Sequence, residues 1–171
     1  TRRGLLGAAA TGTLSLAACA TTPVSAPVKT EAYEGEIDFL HGVASGDPLA
    51  DRVMIWTRVT PKSGTGPIQV RYDVFDPANP ATPVSSGVVT TSEARDYTVK
   101  ADAKGLQPGK TYTYKFTVLA SNGEVTSPEG RLKTTALSGD TPVRMAVVSC
   151  SNWQFGYFNA YDAISQEADL D

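Results

Sequence analysis

Between residues 37 and 135, apolar and polar positions alternate along the chain with a period of two. The run Tyr112-Thr-Tyr114-Lys-Phe116-Thr-Val118 shows this most clearly, as in a strand with one buried face. Turn-forming residues, among them Gly46-Asp47-Pro48, separate such runs. The pattern predicts seven strands, at Phe39–Ser45, Arg52–Val59, Ile68–Phe75, Val84–Thr90, Tyr97–Ala103, Thr111–Ala120 and Glu124–Thr134. Seven short strands at this spacing are typical of a fibronectin- or immunoglobulin-like β-sandwich, so the fold class is mainly β.

Three local features add detail to the predicted sandwich. Asn122-Gly123 lies between two strands and predicts a hairpin, because both central residues of the favoured turn need positive φ. The run from Leu106 to Tyr112 is typical of a tyrosine corner, in which the Tyr112 hydroxyl bonds to the upstream backbone. Trp56, within an apolar strand, is predicted to be the core tryptophan of the sandwich.

After a linker at 136–142 the pattern changes. Val143–Val148 is nearly all apolar without alternation, which is typical of a strand covered on both faces. Tyr157–Ala168 has the spacing of a helix, with Phe158 and Tyr161 on one face. These residues predict the start of a parallel α/β domain, although one strand and one helix cannot bury a core of their own.

The N-terminal residues have the features of an export signal. Arg2-Arg3 precedes a weakly apolar stretch from Leu5 to Leu16, which is too short to span a bilayer because about 20 residues are needed. The order resembles a twin-arginine signal, which would make the twin-arginine export machinery a partner and place the protein in the periplasm, the cell envelope or outside the cell. Leu16-Ala-Ala-Cys19 fits a lipobox that would leave Cys19 lipidated and membrane-anchored. Cleavage before Thr21 is the alternative.

These patterns divide the chain into four parts. Residues 1–20 are the predicted signal, and residues 21–36, rich in Pro, Thr and Ala, are a predicted linker. Residues 37–137 form the predicted sandwich, and 138–171 the incomplete start of the second domain.

The amino-acid composition argues against several classes of function. The hydrophobic content of 41% and charged content of 19% are those of a folded protein. The net charge of −3 argues against a general nucleic-acid binder, which needs a basic face. A single histidine, His41, is too few for a His-rich zinc site or a Ser-His-Asp triad within the chain.

The candidate chemical group is Cys150, where the apolar run meets a polar, glycine-containing turn. It could be a structural thiol, a nucleophile or a metal ligand. A nucleophilic cysteine needs a histidine or lysine to activate it, and neither lies nearby in this segment. As a metal ligand, a thiolate at the end of a strand suits iron or zinc. For His41 a hydrogen-bonded structural role is favoured over a catalytic one. Ser45 and Asp47 flank a turn in which Asp47 is expected to bond its own backbone, although either residue could contact a partner domain.

The chain resembles a known enzyme family in two long motifs. Phe39-Leu-His-Gly-Val-Ala-Ser-Gly-Asp-Pro48 with Arg52-Val-Met-Ile-Trp-Thr-Arg58 is similar to the opening of the N-terminal domain of the alkaline phosphatase D (PhoD-type) family. Val147-Val-Ser-Cys-Ser-Asn-Trp-Gln-Phe-Gly-Tyr-Phe-Asn-Ala-Tyr161 is similar to the first strand and helix of that family's phosphatase domain. The similarity covers the whole chain, including its twin-arginine leader.

The resemblance implies an exported metallophosphoesterase that hydrolyses phosphate monoesters and diesters at alkaline pH. It also implies an Fe(III) and Ca(II) cluster, with Cys150 as a ligand of the iron. The family's phosphatase domain continues into a Gly-Asp-x-x-Tyr type motif and then Asn, Asp and His ligands, none of which this chain contains. We therefore expect these 171 residues alone to be inactive. A fibronectin-like binding module anchored through Cys19 is the alternative function.

Overall fold

The computed structural model describes residues 28–139, 142–150, 152, 154–167 and 169–171. Arg2, Arg3 and Cys19, on which the export and lipidation predictions rest, lie outside these residues. The described part of the chain contains no helix that is long and apolar enough to cross a membrane.

The described residues form ten strands, one turn of 3-10 helix (Glu93–Arg95) and one short α-helix, and every strand pair is antiparallel. The strands are β1 (Ile37–Asp38), β2 (Val43–Gly46), β3 (Arg52–Arg58), β4 (Thr60–Pro61), β5 (Ile68–Asp76), β6 (Asn79–Thr91), β7 (Thr98–Lys104), β8 (Thr111–Ala120), β9 (Gly123–Thr126) and β10 (Gly130–Lys133). One sheet has the order β10-β8-β5-β6 with β9 also paired to β8, the second has the order β2-β3-β7, and β1 pairs with β4. The predicted mainly β sandwich is confirmed.

Burial alternates with a period of two along β3, β7 and the first half of β8. Val53, Ile55 and Thr57 are buried between the sheets, so the residues between them face outward. Trp56 is one of these and is only half-buried, so its prediction as the core tryptophan is wrong. Both sets of alternate positions in β3 include large apolar residues, and hydrophobicity alone did not show which set faces inward.

The core is centred on β8, whose inward side chains include Tyr114 and Phe116. Their rings stand edge to face with centroids 6.0 Å apart. The predicted tyrosine corner is confirmed at the start of this strand, where the backbone N–H of Gln107 donates to the Tyr112 hydroxyl at 2.9 Å. This bond fixes the loop that leads into β8.

The strand predicted at Glu124–Thr134 is divided into β9 and β10, both of which pair with the same edge of β8. Pro128 has no N–H to donate to a sheet, and the break is stabilised by Ser127. The Ser127 hydroxyl accepts from the Phe116 N–H at 3.0 Å and donates to the Pro128 carbonyl at 2.8 Å. The hairpin between β8 and β9 is confirmed, but of its described turn residues only Gly123 has positive φ, at 99°.

Part of the predicted linker contributes to the packed domain. Tyr33 is buried, forms a bridge with Ala120 and donates its hydroxyl to the Ser63 carbonyl at 3.0 Å. Gly35 and Gly64 lie against its ring, where a Cβ atom on either glycine would approach it to within 3 Å. The aromatic residue therefore secures the segment that precedes β1 against the sandwich.

Residues 142–150 differ from the prediction because they form no strand. Their apolar side chains are exposed, including Met145 at 74% and Val147 at 88%. The predicted helix is present but shorter, as α1 (Asn159–Ser165), and the rings of Phe158 and Tyr161 meet at its start with centroids 5.8 Å apart. A strand that is apolar on both sides is stabilised by elements that pack on both of its faces, and the described residues leave the side chains of this segment exposed.

Candidate functional site

Cys150 ends the apolar segment 142–150, as the sequence predicts, and its side chain is exposed. Its φ of 58° lies in the left-handed region, which residues with a side chain seldom adopt. Among the described residues the thiol is therefore exposed and not packed in a core.

The residues described by the structure do not surround Cys150 with further metal ligands. Among them, no group of three or more His, Cys, Asp or Glu side chains is placed to hold a metal ion. One thiolate can contribute to such a site but cannot make it.

His41 lies in a bend before β2, not within the strand that the sequence predicts, and it belongs to a surface cluster. Its Nε2 lies 2.9 Å from an Nη1 nitrogen of Arg58, whose guanidinium also binds both carboxylate oxygens of Asp96 at 3.1 and 2.8 Å. The hydrogen bond from Arg58 lowers the pKa of Asp96. This cluster connects the end of β3 to the loops before β2 and β7, and its hydrogen bond gives His41 a structural position.

A cleft that sequence reasoning did not predict lies where β2 approaches β10. Its volume is about 300 Å³, and the Ser45 hydroxyl closes the gap between the sheets by donating to the Arg131 carbonyl at 3.1 Å. The lining residues are Ser45, Gly46, Pro48, Val53, Arg131, Leu132, Lys133, Leu170 and Asp171. The alternation Arg131-Leu132-Lys133 already indicates two basic side chains on the outward face of β10, but nothing in the sequence shows what they meet.

Asp47 adopts a φ of 47° in the predicted turn after β2. It lies beside a second, more open cleft on the outer face of β2 and β3, next to Met54 and Trp56. Ser45 and Asp47 thus come close to two different surface clefts, and neither is joined to Cys150 in the described residues.

Comparison with known proteins identifies the family. Residues 23–136 match the family model for the PhoD-like phosphatase, N-terminal domain. The chain belongs to the PhoD-like phosphatase family. The matched range contains all ten strands, so the sandwich is the N-terminal domain of this family. The resemblance drawn from the sequence motifs is confirmed.

Two relatives extend the match. The chain is 33% identical over 137 residues to alkaline phosphatase D of Bacillus subtilis (strain 168), an alignment that covers 75% of this chain and 23% of that protein. A solved structure of PhoD superposes with a TM-score of 0.68 at 31% identity, covering 84% of this chain and 27% of that one. The chain therefore spans about a quarter of the length of these relatives.

Proposed function

We propose that this chain is the N-terminal part of an exported alkaline phosphatase or phosphodiesterase that hydrolyses phosphate esters with a metal cluster. The observation that carries the proposal is the family match over residues 23–136, joined to 33% identity with an alkaline phosphatase D. The sandwich positions the chemistry and does not perform it. Phosphate monoesters and diesters are the proposed substrates, and no nucleic-acid partner is proposed because the net charge is −3.

The second segment supports an α/β unit that begins near residue 143. The Asp171 N–H donates to the Arg144 carbonyl at 3.0 Å, and the Arg144 N–H donates to an Asp171 carboxylate oxygen at 3.0 Å. This brings residues 144 and 171 side by side, with α1 between them in the sequence. Neighbouring parallel strands connected through a helix begin in the same way.

Cys150 is the proposed metal ligand of that unit. A thiolate ligand suits iron, and the exposure of the Cys150 side chain in the described structure leaves the sulfur accessible to a metal. We propose Fe(III) and Ca(II) as the metals of the complete protein. The other ligands would come from the part of its relatives that this chain does not cover.

Export is the remaining part of the proposal. The Arg2-Arg3 pair would direct the folded protein to the twin-arginine machinery, and Cys19 would carry a lipid anchor. Membrane fractionation of a Cys19→Ala variant tests the anchor. Retention equal to the wild type would contradict lipidation and favour the freely secreted form.

Two preparations test the catalytic proposal. The first is the purified 171-residue chain with added iron and calcium, which is expected not to hydrolyse p-nitrophenyl phosphate or its bis ester. The second is a chimera in which residues 1–171 replace the matching part of alkaline phosphatase D of Bacillus subtilis, and it is expected to be active.

Cys150→Ser in the chimera is the decisive variant. It is expected to lower turnover by more than about 100-fold, beyond the loss typical of residues that only support a metal ligand. Leu137→Ala, at an exposed linker residue, is the matched control and is expected to be without effect. An active Cys150→Ser chimera would refute the ligand role. An inactive wild-type chimera would favour the anchored binding module.

A further inference from the structure

Two basic side chains on β10 hold the last described residues of the chain. The Lys133 ammonium donates to a carboxylate oxygen of Asp171, and the Arg131 guanidinium donates to the Leu170 carbonyl. Both cations lie on the sandwich, and both acceptors belong to the segment beyond residue 142. The contact therefore joins the two parts of the molecule through polar groups.

Asp171 is held from both sides. One of its carboxylate oxygens accepts from Lys133, and the other accepts from the Arg144 N–H at 3.0 Å. Its own N–H donates to the Arg144 carbonyl at 3.0 Å. The carboxylate thus bridges β10 to the start of the apolar segment, 27 residues away in sequence.

The bridge occupies the cleft between β2 and β10. Leu170 and Asp171 line this cleft together with Ser45 and Gly46 of β2. The side chains of Lys133 and Asp171 are 36% and 21% exposed, so water screens this pair less than a fully exposed one. The hydrogen bond from Lys133 is the main cause of the lowered pKa of Asp171, with the Arg144 N–H next.

We infer that the β2–β10 cleft is the docking surface by which the sandwich holds the segment of this chain from residue 142 to residue 171, with Lys133 and Asp171 as the joint. The occupant is the segment seated there in the structure, and the charges of cleft and occupant are complementary. The inference rests on the proposed function only for the identity of the docked unit as the start of a phosphatase domain. It explains why β10, at the edge of its sheet, carries the two outward-facing cations Arg131 and Lys133.

NMR on the 171-residue chain tests the inference with two readouts on residues that are not mutated. They are the hydrogen-exchange rate of the Arg144 amide and the pKa of the Asp171 carboxyl group. Lys133→Glu removes the attraction, so Arg144 exchange is expected to accelerate about threefold, a change typical of one weakly exposed ion pair. The pKa of Asp171 is expected to rise. Lys133→Arg keeps the charge and is expected to leave both readouts close to the wild type.

A second ion pair provides the matched control. Lys62 pairs with Asp38 at 3.1 Å where β1 meets β4, and Lys62→Glu makes the same charge change at that site. It is expected to leave both readouts unchanged. Lys133→Gln serves as a milder variant if Lys133→Glu lowers the overall stability of the sandwich.

Unchanged exchange and an unchanged Asp171 pKa in both Lys133→Glu and Lys133→Gln would overturn the inference. Equal effects from Lys62→Glu would do the same, because the response would then reflect net charge and not the cleft. Neither readout depends on phosphatase activity. An inactive chimera therefore does not contradict the docking inference, and a negative NMR result does not contradict the proposed function.

Discussion

Gly130 in β10 lies opposite Tyr114 of β8, and the tyrosine ring fills the space that a side chain at residue 130 would need. A Cβ atom there would lie 2.4 Å from Cζ and 2.6 Å from Cε1 of the ring. Carbon atoms in contact are normally about 3.5–4.0 Å apart, so the ring would have to move by about 1 Å. Tyr114 is only 1% exposed and stands edge-on against Phe116, so this movement would disturb the core.

Gly130→Ala is therefore expected to lower the free energy of unfolding by about 1–3 kcal/mol, the range for overpacking a close-packed interior. The clash outweighs the roughly 0.5–1 kcal/mol by which alanine is favoured over glycine in an unstrained strand. In a domain of about 100 residues, 1 kcal/mol changes Tm by about 4–8 °C. A decrease in Tm of at least about 4 °C is expected.

The assay is urea unfolding followed by tryptophan fluorescence, with the Tm measured in parallel by circular dichroism. Gly46→Ala is the matched control, because Gly46 is also a strand glycine and its Cβ would meet nothing within 4 Å. Its stability is expected to equal or slightly exceed that of the wild type. Gly87→Ala should fall between the two, since the Tyr72 ring it would contact is half-buried and can move outward. Equal stabilities of Gly130→Ala and Gly46→Ala would refute the reasoning.

Two further predictions concern the same domain. Tyr112 is 2% exposed, and Tyr112→Phe removes the hydroxyl that accepts from the Gln107 N–H. The free energy of unfolding, measured in urea, is therefore expected to decrease by about 1 kcal/mol. A decrease below about 0.3 kcal/mol would contradict the tyrosine corner. Acid is expected to destabilise the sandwich through Asp76, whose pKa is lowered from 3.8 mainly by its hydrogen bond from Lys110. Because the pKa of Asp76 is lower in the folded state than in the unfolded state, its stabilising effect is complete above about pH 5 and is lost as the pH falls through the folded pKa. When Tm is measured from pH 7 to pH 2, it should therefore decrease less in Asp76→Asn than in the wild type.

The strands of the sandwich could be predicted because each carries its own period-two pattern and its own turn residues. Arg52–Val59 and Thr111–Ala120 were predicted with bounds within one residue of β3 and β8. The division of the last strand depends on Pro128 and on a hydrogen bond that the Phe116 N–H donates to the Ser127 hydroxyl, 11 positions away. Contacts of that kind depend on the register between strands, which the local pattern does not specify.

The two tyrosine–glycine pairs illustrate the same limit at single residues. Gly87 and Gly130 are neither at turns nor at positive φ, so their sequence positions look like weak points in β6 and β10. Only the register places Tyr72 and Tyr114 opposite them. Each ring then covers the bare backbone, as aromatic residues do beside strand glycines.

For the candidate site as well, the sequence predicts the position of Cys150 in the chain but not the contacts around it. The sequence places Cys150 at the end of an apolar run, and in the structure its side chain is exposed and its φ is 58°. The run before it is apolar enough for a buried strand, but each apolar residue stabilises a fold only in proportion to the area that neighbours cover, about 25 cal/mol per Å². Met145 and Val147 are 74% and 88% exposed, so they contribute little stabilisation in the described structure.

Asp171 is the one described residue whose backbone and carboxylate both bond Arg144, and Lys133 holds that carboxylate against the sandwich. The cleft at β10 thus holds the end of this segment through polar groups, while the apolar side chains before Cys150 stay exposed. This polar contact lies within the described residues, so it can be tested in this chain, which the metal-ligand role of Cys150 cannot.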